Sequence, residues 1–174
     1  MIRKKFPLLA YFIWAILLLL IPLGCASDPP RSEDEKTAEN YVESQGYEIE
    51  DHQGKVYTYT LDKSLLQSVS ASATVNLSYI QTWSVQENEP DNYFGKEISS
   101  YIFTVSGHPL DKQYNTNTIV NIMMSDGEVI GGTSTPDVGG LDGSLYSLDG
   151  RTLEEVTGIS YGEWITQWAQ KYTD

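Results

Sequence analysis

Apolar and polar positions along the chain change period several times, and each change marks an element. Ser32-Glu33-Asp34-Glu35 has the form of a capping box, and Ala38, Tyr41 and Val42 recur behind it at helical spacing until Gly46. The pattern then turns to period two. Tyr47 and Ile49 alternate with Glu48 and Glu50, His52-Gln53-Gly54 has turn composition, and Lys55 to Leu61 is β-branched and aromatic, which together predict a hairpin. Asp62 is placed to cap a helical stretch through Leu65, Leu66 and Val69. From Thr74 to Val85 the density of Val75, Leu77, Tyr79, Ile80, Trp83 and Val85 predicts a strand. Glu87 to Gly95 reads as a polar loop and Lys96 to Val105 as a strand that ends at Gly107-His108-Pro109.

The sharpest local signal is Ser125-Asp126-Gly127, set between the apolar runs Thr118 to Met124 and Glu128 to Thr133. An Asp-Gly pair serves a two-residue hairpin because both central positions need positive φ. Pro136 to Gly150 is glycine-rich and aperiodic, with room for one short strand at Ser144 to Ser147. Thr152 opens a short turn, and Ser160 to Glu163 is a second capping box. The helix behind it should run to about Tyr172, carrying Tyr161, Trp164, Ile165, Trp168 and Tyr172 along one stripe. That stripe is expected to pack on the sheet and seal the core. Helix, strands, then helix predict an α+β domain, a mostly antiparallel sheet with helices at its N- and C-terminal ends packed on one face.

The first residues follow a different logic. Arg3, Lys4 and Lys5 precede an uncharged apolar run from Phe6 to Leu23, interrupted by Pro7 and Pro22. Its unbroken core, Leu8 to Ile21, is shorter than the roughly 20 residues that span a bilayer, so length favours an export signal over a permanent span. Gly24-Cys25 closes the run. The stretch Ile21 to Ser27 resembles the lipobox of bacterial lipoprotein precursors, although Pro22 and Leu23 differ from the residues such boxes prefer. The resemblance implies cleavage between Gly24 and Cys25 and diacylation of the Cys25 sulfur. Two acyl chains bury enough CH₂ groups for stable anchoring, at about 0.8 kcal/mol each. Basic residues stay on the cytoplasmic side, so the chain after Cys25 is expected on the extracytoplasmic face of the cell membrane. With the pattern Val129-Ile130-Gly131-Gly132 ahead of a Trp-containing last helix, the whole resembles the small lipoproteins of Gram-positive bacteria, a resemblance that brings no activity with it. The expected organisation is a signal peptide over 1–24, a lipidated cysteine and acidic tether over 25–36, and one globular domain over 37–174.

Charge narrows the partners. Beyond residue 24 the chain carries 8 Lys and Arg against 24 Asp and Glu, a formal charge of −16 on 150 residues. Nucleic acid and anionic head groups are disfavoured, since both are bound by Lys and Arg. Cys25 is the one cysteine, so no internal disulfide forms.

Motifs for chemistry are few. The chain has no G-x-S-x-G elbow, no S-x-x-K pair, no zinc spacing around His52 or His108, and no phosphate-binding glycine loop. Both histidines sit in turn-like sequence and are expected at the surface. Gly131-Gly132 is accounted for by backbone geometry. A carboxylate pair needs no signature, which leaves an envelope hydrolase as one alternative. Weak candidates for a calcium site are Glu87, Glu89 and Asp91 in one loop, and Asp137, Asp142 and Asp149 in another. Tyr57, Tyr59, Tyr79, Trp83, Tyr101 and Phe103 either line a sugar or peptide groove or fill the core. The reading that results is a non-enzymatic binding or modulating domain at the cell envelope. It needs no cofactor beyond the acyl groups on Cys25, and its partners are the membrane, through the anchor, and an unknown protein or envelope ligand. A calcium- or small-ligand-binding module is the other alternative.

Overall fold

A computed structural model describes residues 31–67, 74–139 and 145–172. Gly24, Cys25, the signal peptide, the first part of the tether, Val69 and Asp142 lie outside the described residues. The first helix, α1 (Glu33–Ser44), begins inside the stretch that composition assigns to the tether. Ser32 caps it through a reciprocal capping box with Glu35. Among the described residues no helix is long and apolar enough to cross a membrane.

Five antiparallel strands follow in the order of the chain, β1 (Glu48–Thr60), β2 (Glu97–Ser106), β3 (Thr118–Ser125), β4 (Glu128–Pro136) and β5 (Tyr146–Ser147). Between β1 and β2 lie a 3₁₀ turn (Lys63–Leu66), α2 (Thr74–Ser84) and a second 3₁₀ turn (Pro90–Tyr93). The short helix α3 (Pro109–Tyr114) joins β2 to β3, and α4 (Leu153–Thr157) and α5 (Tyr161–Tyr172) end the chain. This is the α+β class expected, with an antiparallel sheet and helices at both ends.

Two local expectations are corrected. Glu48 to Thr60 is one strand, not a hairpin. Its 13 residues pair with the ten of β2 through three register shifts, one of them between His52 and Gly54. Gly54, at φ +71°, therefore opens a β-bulge where the composition suggested a turn. Thr74 to Ser84 is a helix, not a strand. Tyr79, Ile80 and Trp83 all reach one apolar cluster, which adjacent residues of a strand, pointing to opposite faces, would not do. The Asp126-Gly127 turn is as predicted, with φ of +53° and +80°.

The core has two parts on opposite sides of the sheet. Tyr101, Phe103 and Val105 of β2 and Val120, Ile122 and Met124 of β3 form one with Ala38 and Val42 of α1. Ile98, Met123 and Ile130 point the other way and join Leu61, Leu66, Ile80, Trp83, Trp168 and Tyr172. The two end helices thus cover different faces instead of sharing one. On α5, Trp168 and Tyr172 are buried as the stripe predicts, and the Trp168 indole N–H donates to Leu66 O at 2.9 Å, whereas Tyr161 is 53% exposed.

Candidate functional site

The segment that leaves α2, Ser84 to Asn88, runs past the outer edge of β4, and its side chains do what a neighbouring strand would do. The Gln86 amide donates to Gly132 O and accepts from Gly132 N, both at 2.8 Å, while also donating to Thr82 O. Asn88 Nδ2 donates to Ile130 O at 2.8 Å. Farther along, β4 pairs with β5 at Thr133 and Ser134. Gly131 is what admits the Gln86 amide, and Gly132 lets β4 lie against β3. A Cβ on Gly131 would stand 2.3 Å from Gln86 Oε1, and one on Gly132 would stand 2.2 Å from Asn121 O. Side-chain amides thus cover most of an edge that would otherwise offer unpaired backbone groups.

Three hollows open around this segment and share its residues as walls. The first, about 270 Å³, lies between α1, Val85 to Asn88, β4 and the turn Ser147 to Arg151. The second, about 190 Å³, lies between Trp83 to Pro90 and the side of α5 that carries Trp164, Gln167 and Trp168. The third, about 310 Å³, is walled by Gln81, Ser84, Tyr146, Leu153, Glu154 and Tyr161. Gln86 and Asn88 border the first two, and Ser84 borders the second and third.

The cations at the hollows are paired. Arg151 Nη2 donates to Glu87 Oε1 at 2.8 Å and its Nε to Asp149 Oδ2 at 2.7 Å. Burial works against the Asp149 charge, yet hydrogen bonds from Ser147 and Arg151 outweigh it and hold its pKa below the usual carboxylate value. Lys171 binds Glu89 Oε2 at 2.7 Å and also Asp91. Desolvation opposes its charge, and the bonds to Asp91 and Glu89 overcome this and raise its pKa. Burial lifts the Tyr172 hydroxyl to about 12.

The described acids of the candidate cation loops do not converge. Glu87 and Asp149 turn to Arg151, while Glu89 and Asp91 turn to Lys171. Asp137 is exposed, with its backbone carbonyl bound by Thr116. Among the described residues no group of three or more His, Cys, Asp or Glu is placed to hold a metal ion. The strand aromatics do not form one groove either. Tyr101 and Phe103 lie beneath α1, Tyr59, Tyr79 and Trp83 lie on the other side of the sheet, and Tyr57 is exposed.

Neither histidine is a surface turn residue. His52 lies within β1, largely covered, edge-on to Phe103 and 3.4 Å from Glu35 Oε1. His108 is 1% exposed and caps α3. Its Nδ1 accepts from Leu110 N at 3.1 Å, so the proton sits on Nε2, which donates to Leu148 O at 3.0 Å. Desolvation lowers its pKa below 6.5, against the opposing pull of Leu148 O, Asp111 and Asp149.

Gln86, Asn88 and Arg151 were not singled out from the sequence. The amide contacts bridge 46 and 42 residues, and no local pattern announces them. No protein-family model, curated protein or solved structure matches this chain.

Proposed function

We propose that this chain is a lipid-anchored, extracytoplasmic binding domain that recognises a component of the cell envelope and does no covalent chemistry. The anchor rests on Arg3-Lys4-Lys5, the apolar run behind them and Gly24-Cys25. The binding role rests on one observation. Three hollows adjoin along Ser84 to Asn88, walled by aromatic rings and amides, and the cations that border them are bound to carboxylates. A carboxylate tied to Arg or Lys is held ionised and occupied, which suits orientation and recognition better than proton transfer. The net charge of −16 beyond residue 24 argues against nucleic acid and against direct adsorption to anionic lipid.

Mass spectrometry of the protein extracted from membranes should find an N-terminus at Cys25 bearing diacylglycerol. An N-terminus at Met1, or a free Cys25 thiol in vivo, overturns the anchor. For the binding role, the full-length protein in mild detergent should sediment with isolated, washed cell-wall material. Protein that stays wholly in the supernatant across the wall concentrations tested counts against recognition of the envelope.

A further inference from the structure

Resting on that reading, we propose that the second and third hollows are adjoining subsites for a neutral oligosaccharide, one ring of which stacks on the exposed Tyr161 while the next lies against Trp164. The first support is the ring arrangement on α5. Tyr161 and Trp164 lie 26° from parallel with centroids 6.5 Å apart, and Trp164 lies 30° from parallel to Trp168 at 4.7 Å. Trp168 is fixed in the core by its bond to Leu66, so the ladder is anchored at its inner end. Its outer end, Tyr161, is 53% exposed, and Trp164 is partly exposed. A preorganised aromatic face costs little conformational entropy on binding. The pyranose ring is a ligand that matches it, with C–H groups on its faces for the π-surface and hydroxyls around its edge for amides and carboxylates.

The second support is size and repetition. Ligand pockets start at about 300 Å³. The third hollow, at about 310 Å³, stands at that limit and the second, at about 190 Å³, below it. Each suits one ring, not a folded ligand. They adjoin across Ser84, one carrying Tyr161 and the other Trp164, and repeated one-ring hollows suit a chain of linked rings.

The third support is what the surroundings disfavour. An anionic ligand would have to break Lys171 from Glu89 and Asp91 in a protein already strongly negative. An extended peptide gains most by adding to a sheet edge. At the β4 edge Gln86 takes both backbone groups of Gly132, Asn88 takes Ile130 O, and β5 pairs with Thr133 and Ser134. The neutral sugar needs neither a free cation nor a free edge.

The test is titration of the full-length protein with a tetramer of β-1,4-linked N-acetylglucosamine, and in parallel with a tetramer of β-1,4-linked glucose, followed by tryptophan fluorescence. A saturable emission change with either tetramer is expected, and stronger binding of the first assigns the acetamido group a part. Tyr161→Ala, at an exposed position, should keep the melting temperature and weaken binding about tenfold or more, equivalent to about 1.4 kcal/mol. Trp164→Phe should weaken it less than Trp164→Ala. Absence of a saturable change with both tetramers overturns the proposal, as does binding that Tyr161→Ala leaves unaltered. Sedimentation with cell walls in the absence of any response to either tetramer would defeat the sugar assignment and leave the binding role standing.

Discussion

The two faces of the sheet are built by different means. Under α1 the sheet supplies six of the buried side chains, from β2 and β3, and one helix closes over them with Ala38 and Val42. On the other face the sheet supplies three, Ile98, Met123 and Ile130, and the rest come from Leu61 and Leu66 at the first 3₁₀ turn, α2 and α5. A single helix on a regular surface seals by repeating one contact. A face assembled from short, separately capped pieces meets at seams, and the hollows open there and along the β4 edge beside them. Aromatic side chains span those seams. Trp83, Trp168 and Tyr172 provide reach and area that aliphatic residues lack, and beside them Trp164 is only partly covered and Tyr161 is exposed. The α1 side contributes Tyr41 and Gln45 to the wall of the first hollow, whereas α5 walls the second hollow and, through Tyr161, the third.

The largest effect that would test this division is at Trp168. If the α5 face is core as well as site, Trp168→Ala should cost about 3–5 kcal/mol, much of a domain's total stability. Urea unfolding followed by circular dichroism measures it, and a loss under about 1 kcal/mol would make α5 an appended surface helix. On the simpler face, Val42 is 1% exposed. Val42→Ala removes two methyl carbons and should cost about 2 kcal/mol, from about 0.8 kcal/mol for each buried carbon plus the cavity left behind. It should leave ligand binding unchanged, whereas Trp168→Ala should disturb both stability and binding. Equal loss of binding in the two variants would break the contrast between the faces.

How much of this was legible depends on whether the deciding partner is local. Asp126-Gly127 and Gln53-Gly54 look alike in sequence, and Gly127 and Gly54 both have positive φ. Asp126 shares the left-handed region and completes a two-residue turn. Gln53 does not, and β2 runs unbroken alongside, so the chain there bulges and continues. The first and last helices were legible for the same reason, since Ser32 and Ser160 meet their Glu partners three residues away, whereas Thr152 suggested only a turn and Gly107-His108-Pro109 only the end of a strand, although each opens a short helix with its own capping box. Thr74 to Ser84 misled because its β-branched and aromatic density suits a strand, and only the later elements of one face decide that Tyr79, Ile80 and Trp83 share a side. The aromatic stripe of α5 was visible, but the hollows beside it were not. They depend on Gln86 and Asn88 meeting β4, and on Arg151 meeting Glu87 64 residues away.

His108 supplies the smallest and most selective test, because it pins the rim of the α1 side to the turn that walls the first hollow. Its ring packs 4.8 Å from Tyr47, caps Leu110 N through Nδ1 and holds Leu148 O through Nε2. The charged groups facing it are Asp111, whose Oδ2 accepts from the His108 backbone N–H, and Asp149 in the turn. Protonation of Nδ1 would put a proton where the ring now accepts one from Leu110. The folded state accordingly holds His108 below its ordinary pKa of 6.5, with burial the main cause. Between the lowered folded value and 6.5 the unfolded chain binds more protons than the folded one, so stability rises with pH across that window. The contribution is complete above 6.5 and is lost as pH falls through the folded value, with a slope of at most about 1.4 kcal/mol per pH unit for one proton. His108→Asn keeps a capping oxygen and removes the titration. Urea midpoints measured from pH 5 to pH 7.5 should therefore fall more steeply toward acid in the wild type than in His108→Asn. Parallel curves would show that His108 plays no part in the acid response of this side of the fold.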